Sequence, residues 1–152
     1  MKMLVCVDGS ELSMKAVGEA AKIAGACDIH EVSIIYVCES KLDWQILPSD
    51  HTATISKEDI KRMHDYVFQC DYDKNQKILL EAKEVFAKNN IEAKTIFKEG
   101  HPAQTIIDIA NEEGYDLVVM GSRGLGGLKK LFLGSVSSAV IQEVKSNVYL
   151  VK

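Results

Sequence analysis

The chain has 152 residues, with 47% apolar residues, 26% charged residues and a formal net charge of −4. That length suits one domain with a real core, and the balance is ordinary for a soluble globular protein. An acidic chain argues against a general nucleic-acid surface, and no apolar run approaches the ~20 residues of a membrane span. Met1-Lys2-Met3 passes straight into a short strand-like run, with no long apolar segment of the kind a signal peptide carries. The expected location is therefore cytoplasmic. The four cysteines, Cys6, Cys27, Cys38 and Cys70, form no Cys-x-x-Cys pair, so reduced thiols are expected rather than zinc or disulfides. His30, His51, His64 and His101 are scattered, without the spacing of a metal site.

Met3–Val7 is apolar on both sides, which suits a buried parallel strand, and Asp8-Gly9-Ser10 ends it. Ser10 is placed to cap the following helix, with Glu11 in its first turn. Leu12, Ala16, Val17, Ala20, Ile23 and Ala24 share one face of that helix, and Gly25 is its expected stop. Val32–Val37 is the second strand. Residues 39–54, with Trp44 and Pro48, read as a long loop, and Ser56-Lys57-Glu58-Asp59 resembles a capping box. Ile60, Met63 and Val67 follow at helical spacing, the polar run 71–77 either breaks or exposes that helix, and Ile78 to Phe86 is clearly helical. The aromatics Trp44, Tyr66, Phe68 and Tyr72 are expected to serve packing or a partner surface.

The helix should stop near Asn89-Asn90, with Ile91–Phe97 as strand three. Pro102 sits well in the first turn of the next helix, whose Ile106, Ile107 and Ala110 face the core and whose end is marked by Gly114. Leu117–Met120 is strand four. A glycine loop, a helix bearing Val136, Val140, Ile141 and Val144, and a last strand Asn147–Val151 complete the chain. Strict alternation of strand and helix predicts an α/β fold. It should be a single-domain three-layer sandwich, residues 1–152, with a five-stranded parallel sheet in the order 3-2-1-4-5 and helices on both faces. Ligands of such sheets sit beyond the carboxyl ends of the strands, where the order reverses, and here that is where Asp8 and Gly121 should meet.

The glycine loop carries the chemistry. Residues 120–138 hold five of the ten glycines, Gly121, Gly124, Gly126, Gly127 and Gly134, together with Arg123, Lys129 and Lys130. No Asp or Glu occurs from Leu117 to Gln142, so the stretch is a basic island in an acidic chain. A strand, a glycine-rich loop and a helix start offer backbone N–H groups and partial positive charge to an anion. The string is not a Walker A loop, and Lys129 stands where a dinucleotide fingerprint needs its third glycine. Phe97-Lys98 fills the place of a receiver domain's acceptor Asp.

Gly-x-x-Gly, nine residues, then Gly-Ser does fit, as Gly121, Gly124 and Gly134-Ser135. This pattern resembles the ATP-binding motif of the universal stress protein family. Asp8 in Val-Cys-Val-Asp-Gly-Ser and the run Met120-Gly121-Ser122-Arg123-Gly124 match as well, and the element order covers the whole chain. Ser146-Asn147 stands where many members carry Cys-Pro, a departure confined to the turn into the last strand. The resemblance implies a set of contacts to ATP. Asp8 lies beside the adenosine and Val37 against the adenine. Met120 and Gly121 lead to the ribose and first phosphate, and Gly124, Gly134, Ser135, Val136 and Ser137 ring the phosphates. Ser135 is also expected to cap the last helix. Asp8 is a candidate to help hold Mg²⁺, but no second carboxylate lies near the loop in sequence, so a sensor or switch with at most slow hydrolysis is the expectation. The alternatives are a dimeric scaffold with a vestigial site, pairing through the apolar last strand, and a slow ATPase or phosphotransferase. Neither nucleic acid nor membrane is an expected partner.

Overall fold

The computed structural model of the chain describes residues 1–39, 57–125 and 133–152, with the backbone alone for 57–71. Among these residues strands and helices alternate. The order is β1 (Lys2–Val7), α1 (Glu11–Ala26), β2 (Glu31–Cys38), α2 (Lys57–Ala87), β3 (Ala93–Glu99), α3 (Pro102–Glu112), β4 (Leu117–Gly121), α4 (Ser135–Glu143) and β5 (Asn147–Val151). The strands form one parallel sheet in the order β3-β2-β1-β4-β5, as the alternation predicts. The strand order reverses between β1 and β4, which pair in parallel from Met3–Leu117 to Val5–Val119.

Because successive strand residues point to opposite faces, each strand feeds two cores. Met3, Val5 and Val7 of β1, Val32 and Ile34 of β2 and Val119 of β4 pack with Ala16, Val17 and Ala20 of α1 and Leu79, Ala82 and Phe86 of α2. Leu4 and Cys6, Ile35, Val118 and Met120 pack on the other side with Ile106, Ile107 and Ala110 of α3 and Val140 of α4. Central strands buried on both faces read as unbroken apolar runs, which is why Met3–Val7 is so plainly legible.

Some element ends differ from the sequence reading. Helix α1 runs past Gly25 to Ala26 and is closed by Cys27, whose N–H donates to the Ile23 carbonyl. The chain then turns through Asp28 at φ +54°, so the left-handed residue of this cap is an aspartate and not Gly25. The polar run 71–77 does not break α2. Asn75, Leu79, Ala82 and Phe86 keep one face turned inward, and the polar residues between them face outward. Strand β3 begins two residues later than expected, because Ile91 is used by the α2 stop, donating its N–H to the Phe86 carbonyl. Tyr72 lies edge-on to Phe97 at 5.0 Å between ring centroids, and Phe97 stacks on Tyr36 at 6.1 Å, so these aromatics pack together. The expected loop 39–54 beyond Glu39, Ser56 of the capping box, and the side chains of Ile60, Met63, Tyr66, Val67, Phe68 and Cys70 lie outside the described residues.

Candidate functional site at the strand-order reversal

Asp8 leaves β1 at the sheet's carboxyl edge and closes a turn on itself: its Oδ1 accepts from Ser10 N–H at 2.9 Å. Ser10 caps α1 as expected, its Oγ accepting from Ser13 N–H at 3.2 Å. Ser13 is buried in the first turn; its hydroxyl donates to the Ser10 carbonyl at 2.9 Å and accepts from Asp8 N–H at 3.4 Å. The rigid β1–α1 corner fixes the second oxygen of Asp8. That oxygen reaches across to the neighbouring strand's loop, where Oδ2 accepts from Leu125 N–H at 3.1 Å.

The two motif glycines at the start of the loop are required by close approach to this corner. A Cβ on Gly121 would lie 3.0 Å from the Leu12 carbonyl carbon and 3.1 Å from Ser13 N, so the end of β4 rests on the backbone of the first turn of α1. A Cβ on Gly124 would collide with Asp8 Oδ2. The ends of β1 and β4 are neighbours as expected, but Asp8 meets Gly124 and Leu125, whereas Gly121 lies against Leu12 and Ser13.

The far end of the loop returns to its origin. Ser122 is buried, donates its N–H to the Val151 carbonyl at 2.8 Å, and accepts at its own carbonyl from Gly134 N–H at 2.8 Å. Ser137 Oγ also donates to that carbonyl, at 2.9 Å, and lies 3.0 Å from the Gly134 carbonyl. The base of the loop is thus closed between Ser122 and the start of α4, and pinned to β5. Gly134, not Ser135, is the capping residue of α4. It has extended backbone (φ −74°, ψ 159°), no side chain caps the helix, and Ser135 occupies the first helical position. The first N–H that returns inside the helix is that of Ser138, to the Gly134 carbonyl at 2.9 Å. Among the described residues nothing accepts from the N–H groups of Ser135, Val136 and Ser137, which is the ordinary state of a helix start and the physical basis of an anion site.

The apolar members of the predicted set share one wall. Met120 is buried in the second core, and Val37 and Val136 pack half-buried against the same cluster. The Ser137 hydroxyl is committed to Ser122, so what Ser137 leaves open is its backbone N–H. The Cys6 thiol, buried beneath Asp8, is pushed from an ordinary value of 9.0 to about 12, by burial foremost and by the Asp8 charge in addition. Cys6 and Cys27 are free thiols. Sequence reasoning missed Ser122, Leu125 and Ser13. Each acts through a backbone group or a short hydroxyl whose partner is distant in sequence, and no residue-type pattern marks that. The pattern's spacer residues Gly126, Gly127, Lys129 and Lys130 lie outside the described residues.

Fold and corner together define a doubly wound α/β protein in which the ends of β1 and β4 and the start of α4 come together at the switch point. The model of the universal stress protein family matches residues 1–152, and the chain belongs to that family. It is 36% identical over 147 residues to universal stress protein YxiE of Bacillus subtilis, covering 93% of this chain and 91% of that one. Among solved structures, universal stress protein UspA from Lactobacillus plantarum superposes with a TM-score of 0.80 at 21% identity, over 100% of this chain and 97% of that one. A universal stress protein from Archaeoglobus fulgidus in complex with dAMP superposes with a TM-score of 0.62 at 21% identity, over 100% and 98% of the two chains.

Proposed function

We propose that this chain is an ATP-binding universal stress protein that works as a nucleotide-dependent sensor or switch in the cytoplasm. The observation that carries this reading is the run of N–H groups at Ser135, Val136 and Ser137 that have no acceptor among the described residues, presented by a helix start that Gly134 and Ser122 tie to the loop's origin. Three successive N–H groups at a helix start and the helix dipole suit a phosphate. The half-buried Val37 and Val136, bordering the Met120 cluster at the same sheet edge, offer the apolar surface that a base prefers. The complex of the Archaeoglobus protein with dAMP supports an adenine nucleotide as the ligand.

The residues fit the nucleotide better than they fit a protein-held metal. Both Asp8 oxygens already accept from backbone N–H groups. Among the described residues no group of three acidic, His or Cys side chains could hold a metal ion. Mg²⁺ would therefore arrive on the nucleotide's phosphates, keeping most of its water. In this reading the chain binds and orients ATP, with hydrolysis at most slow, and the bound state is the signal. Calorimetry with ATP and Mg²⁺ should give saturable binding that Gly124→Val abolishes while the circular dichroism spectrum is retained. A flat titration of folded wild-type protein would sink the reading.

A homodimer through β5 is the second element of the proposal. The two sheet edges differ in character. Strand β3 exposes Lys94, Lys98 and Glu99, charges that discourage pairing, whereas β5 presents Val148, Tyr149 and Leu150. Tyr149 is 42% exposed, and Ile141 on the adjoining α4 is 40% exposed. Sedimentation at tens of micromolar should show a dimer that Tyr149→Glu dissociates; a wild-type monomer there would remove the claim.

A further inference from the structure

The family resemblance implies that Asp8 lies beside the adenosine, but both of its carboxylate oxygens accept from backbone N–H groups. One carboxylate oxygen is held by Ser10 N–H within its own turn, and the other holds Leu125 N–H, 117 positions further along the chain. Gly124 has room for that oxygen only because it lacks a Cβ. The first turn of the loop is therefore attached to β1 through one carboxylate, while its last residue is attached to Ser122 through backbone alone. We propose that Asp8 is a positioning residue for the phosphate cradle. By gripping Leu125 N–H against the rigid β1–α1 corner, it holds Gly124 and Leu125 in the geometry that a triphosphate meets.

Two consequences follow from the chemistry. Leu125 N–H is already taken, so phosphate falls to the open N–H groups of Ser135, Val136 and Ser137. A carboxylate this close to bound phosphate is also repulsive in itself, so its presence must be offset by order in the loop. The sign of the mutational effect separates these roles. Removing a mere nearby charge tightens phosphate binding, whereas removing a positioning contact weakens it.

The inference rests on the nucleotide reading for its consequence, but the Asp8–Leu125 contact is measurable without ligand. The test uses wild-type, Asp8→Ala and Asp8→Asn proteins, each verified as folded by circular dichroism. Amide hydrogen exchange at Leu125 is followed by NMR without nucleotide, and affinities are measured for ATP and for inorganic tripolyphosphate, which has no adenosine. Loss of a charge-assisted hydrogen bond should speed Leu125 exchange roughly ten-fold or more in Asp8→Ala. Binding of both ATP and tripolyphosphate should weaken by a similar factor. Asp8→Asn keeps one acceptor oxygen and should fall between, whereas a pure charge effect would make Asn and Ala alike. Unchanged Leu125 exchange overturns the proposal. So does tripolyphosphate binding that is unchanged or tighter in Asp8→Ala, the former assigning Asp8 to the adenosine and the latter to simple repulsion. If wild-type protein binds neither ligand, the nucleotide reading falls and the Leu125 exchange rate alone decides whether Asp8 orders the loop.

Discussion

Replacing each motif glycine with alanine should separate three different reasons for the same residue type. At Gly121 the new methyl would meet the Leu12 carbonyl carbon at 3.0 Å, Leu12 Cβ at 3.1 Å and Ser13 N at 3.1 Å. Two of these atoms are backbone in the first turn of α1, which is locked by the Ser10 cap and the buried Ser13 hydroxyl. Neither can give way without moving the helix off the sheet, so the cost is that of overpacking, about 1–3 kcal/mol. For a chain of this length that lowers Tm by roughly 2–12 °C. At Gly134 the methyl would find its nearest neighbours at 3.4 to 3.6 Å, which is ordinary contact, and φ is −74°. Only the preference of a helix cap for glycine over alanine is lost, below about 1 kcal/mol. At Gly124 the clash is with the end of a side chain, which can swing aside. The cost is the Asp8–Leu125 hydrogen bond, about 1–3 kcal/mol, together with the geometry of the site. Thermal unfolding followed by circular dichroism, with ATP affinity in parallel, reads all three. Gly121→Ala should be the least stable of the Gly121 and Gly134 pair, and Gly124→Ala should lose more affinity than Gly134→Ala. If Gly134→Ala loses more stability than Gly121→Ala, the packing of β4 on α1 is not what demands glycine and the reasoning fails.

Other perturbations have equally definite outcomes. The Cys6 thiol, raised to about 12 from 9.0, keeps its proton in the native chain where the unfolded chain has lost it. Its contribution is complete below pH 9 and is lost as pH rises towards 12, by up to about 1.4 kcal/mol per pH unit. Urea midpoints at about pH 8 and about pH 10.5 should therefore differ less in Cys6→Ala than in wild type. Phe86, fully buried between α2 and the sheet, should cost about 3–5 kcal/mol on truncation to alanine, seen as an earlier denaturant midpoint. Ser137→Ala removes one of two hydrogen bonds to the buried Ser122 carbonyl and leaves that of Gly134 N–H, so about 1 kcal/mol is expected in the same assay.

The legible parts of the chain were those governed by local chemistry. Strands buried on both faces declare themselves as apolar runs, and Ser10, Pro102 and the terminal run Asn147–Val151 all behave in the structure as their local sequence suggests. Errors fell at element ends, where a distant or non-glycine group decides. Asp28 takes the left-handed turn in place of Gly25, Ile91 closes α2 before β3 can begin, and Gly134 takes the capping place expected of Ser135. The apolar residues of α4 do not all turn inward. Val140 is buried while Ile141 is 40% exposed, because a nine-residue helix at the edge of the sheet has one covered stripe.

Glycine spacing marks a loop that must pass close to something, and it cannot say to what. Tertiary structure supplies that: the backbone of α1 at Gly121 and the Asp8 carboxylate at Gly124. The alternation of apolar runs and amphipathic stripes was enough to determine an α/β fold, and the glycine spacing was enough to indicate the family. The sequence alone could not determine that the carboxylate just after β1 accepts from the loop after β4, or that Ser122 closes that loop's base. These contacts join backbone groups far apart in the chain. A backbone N–H or carbonyl is the same for nearly every residue type, so only the path of the folded chain selects its partner.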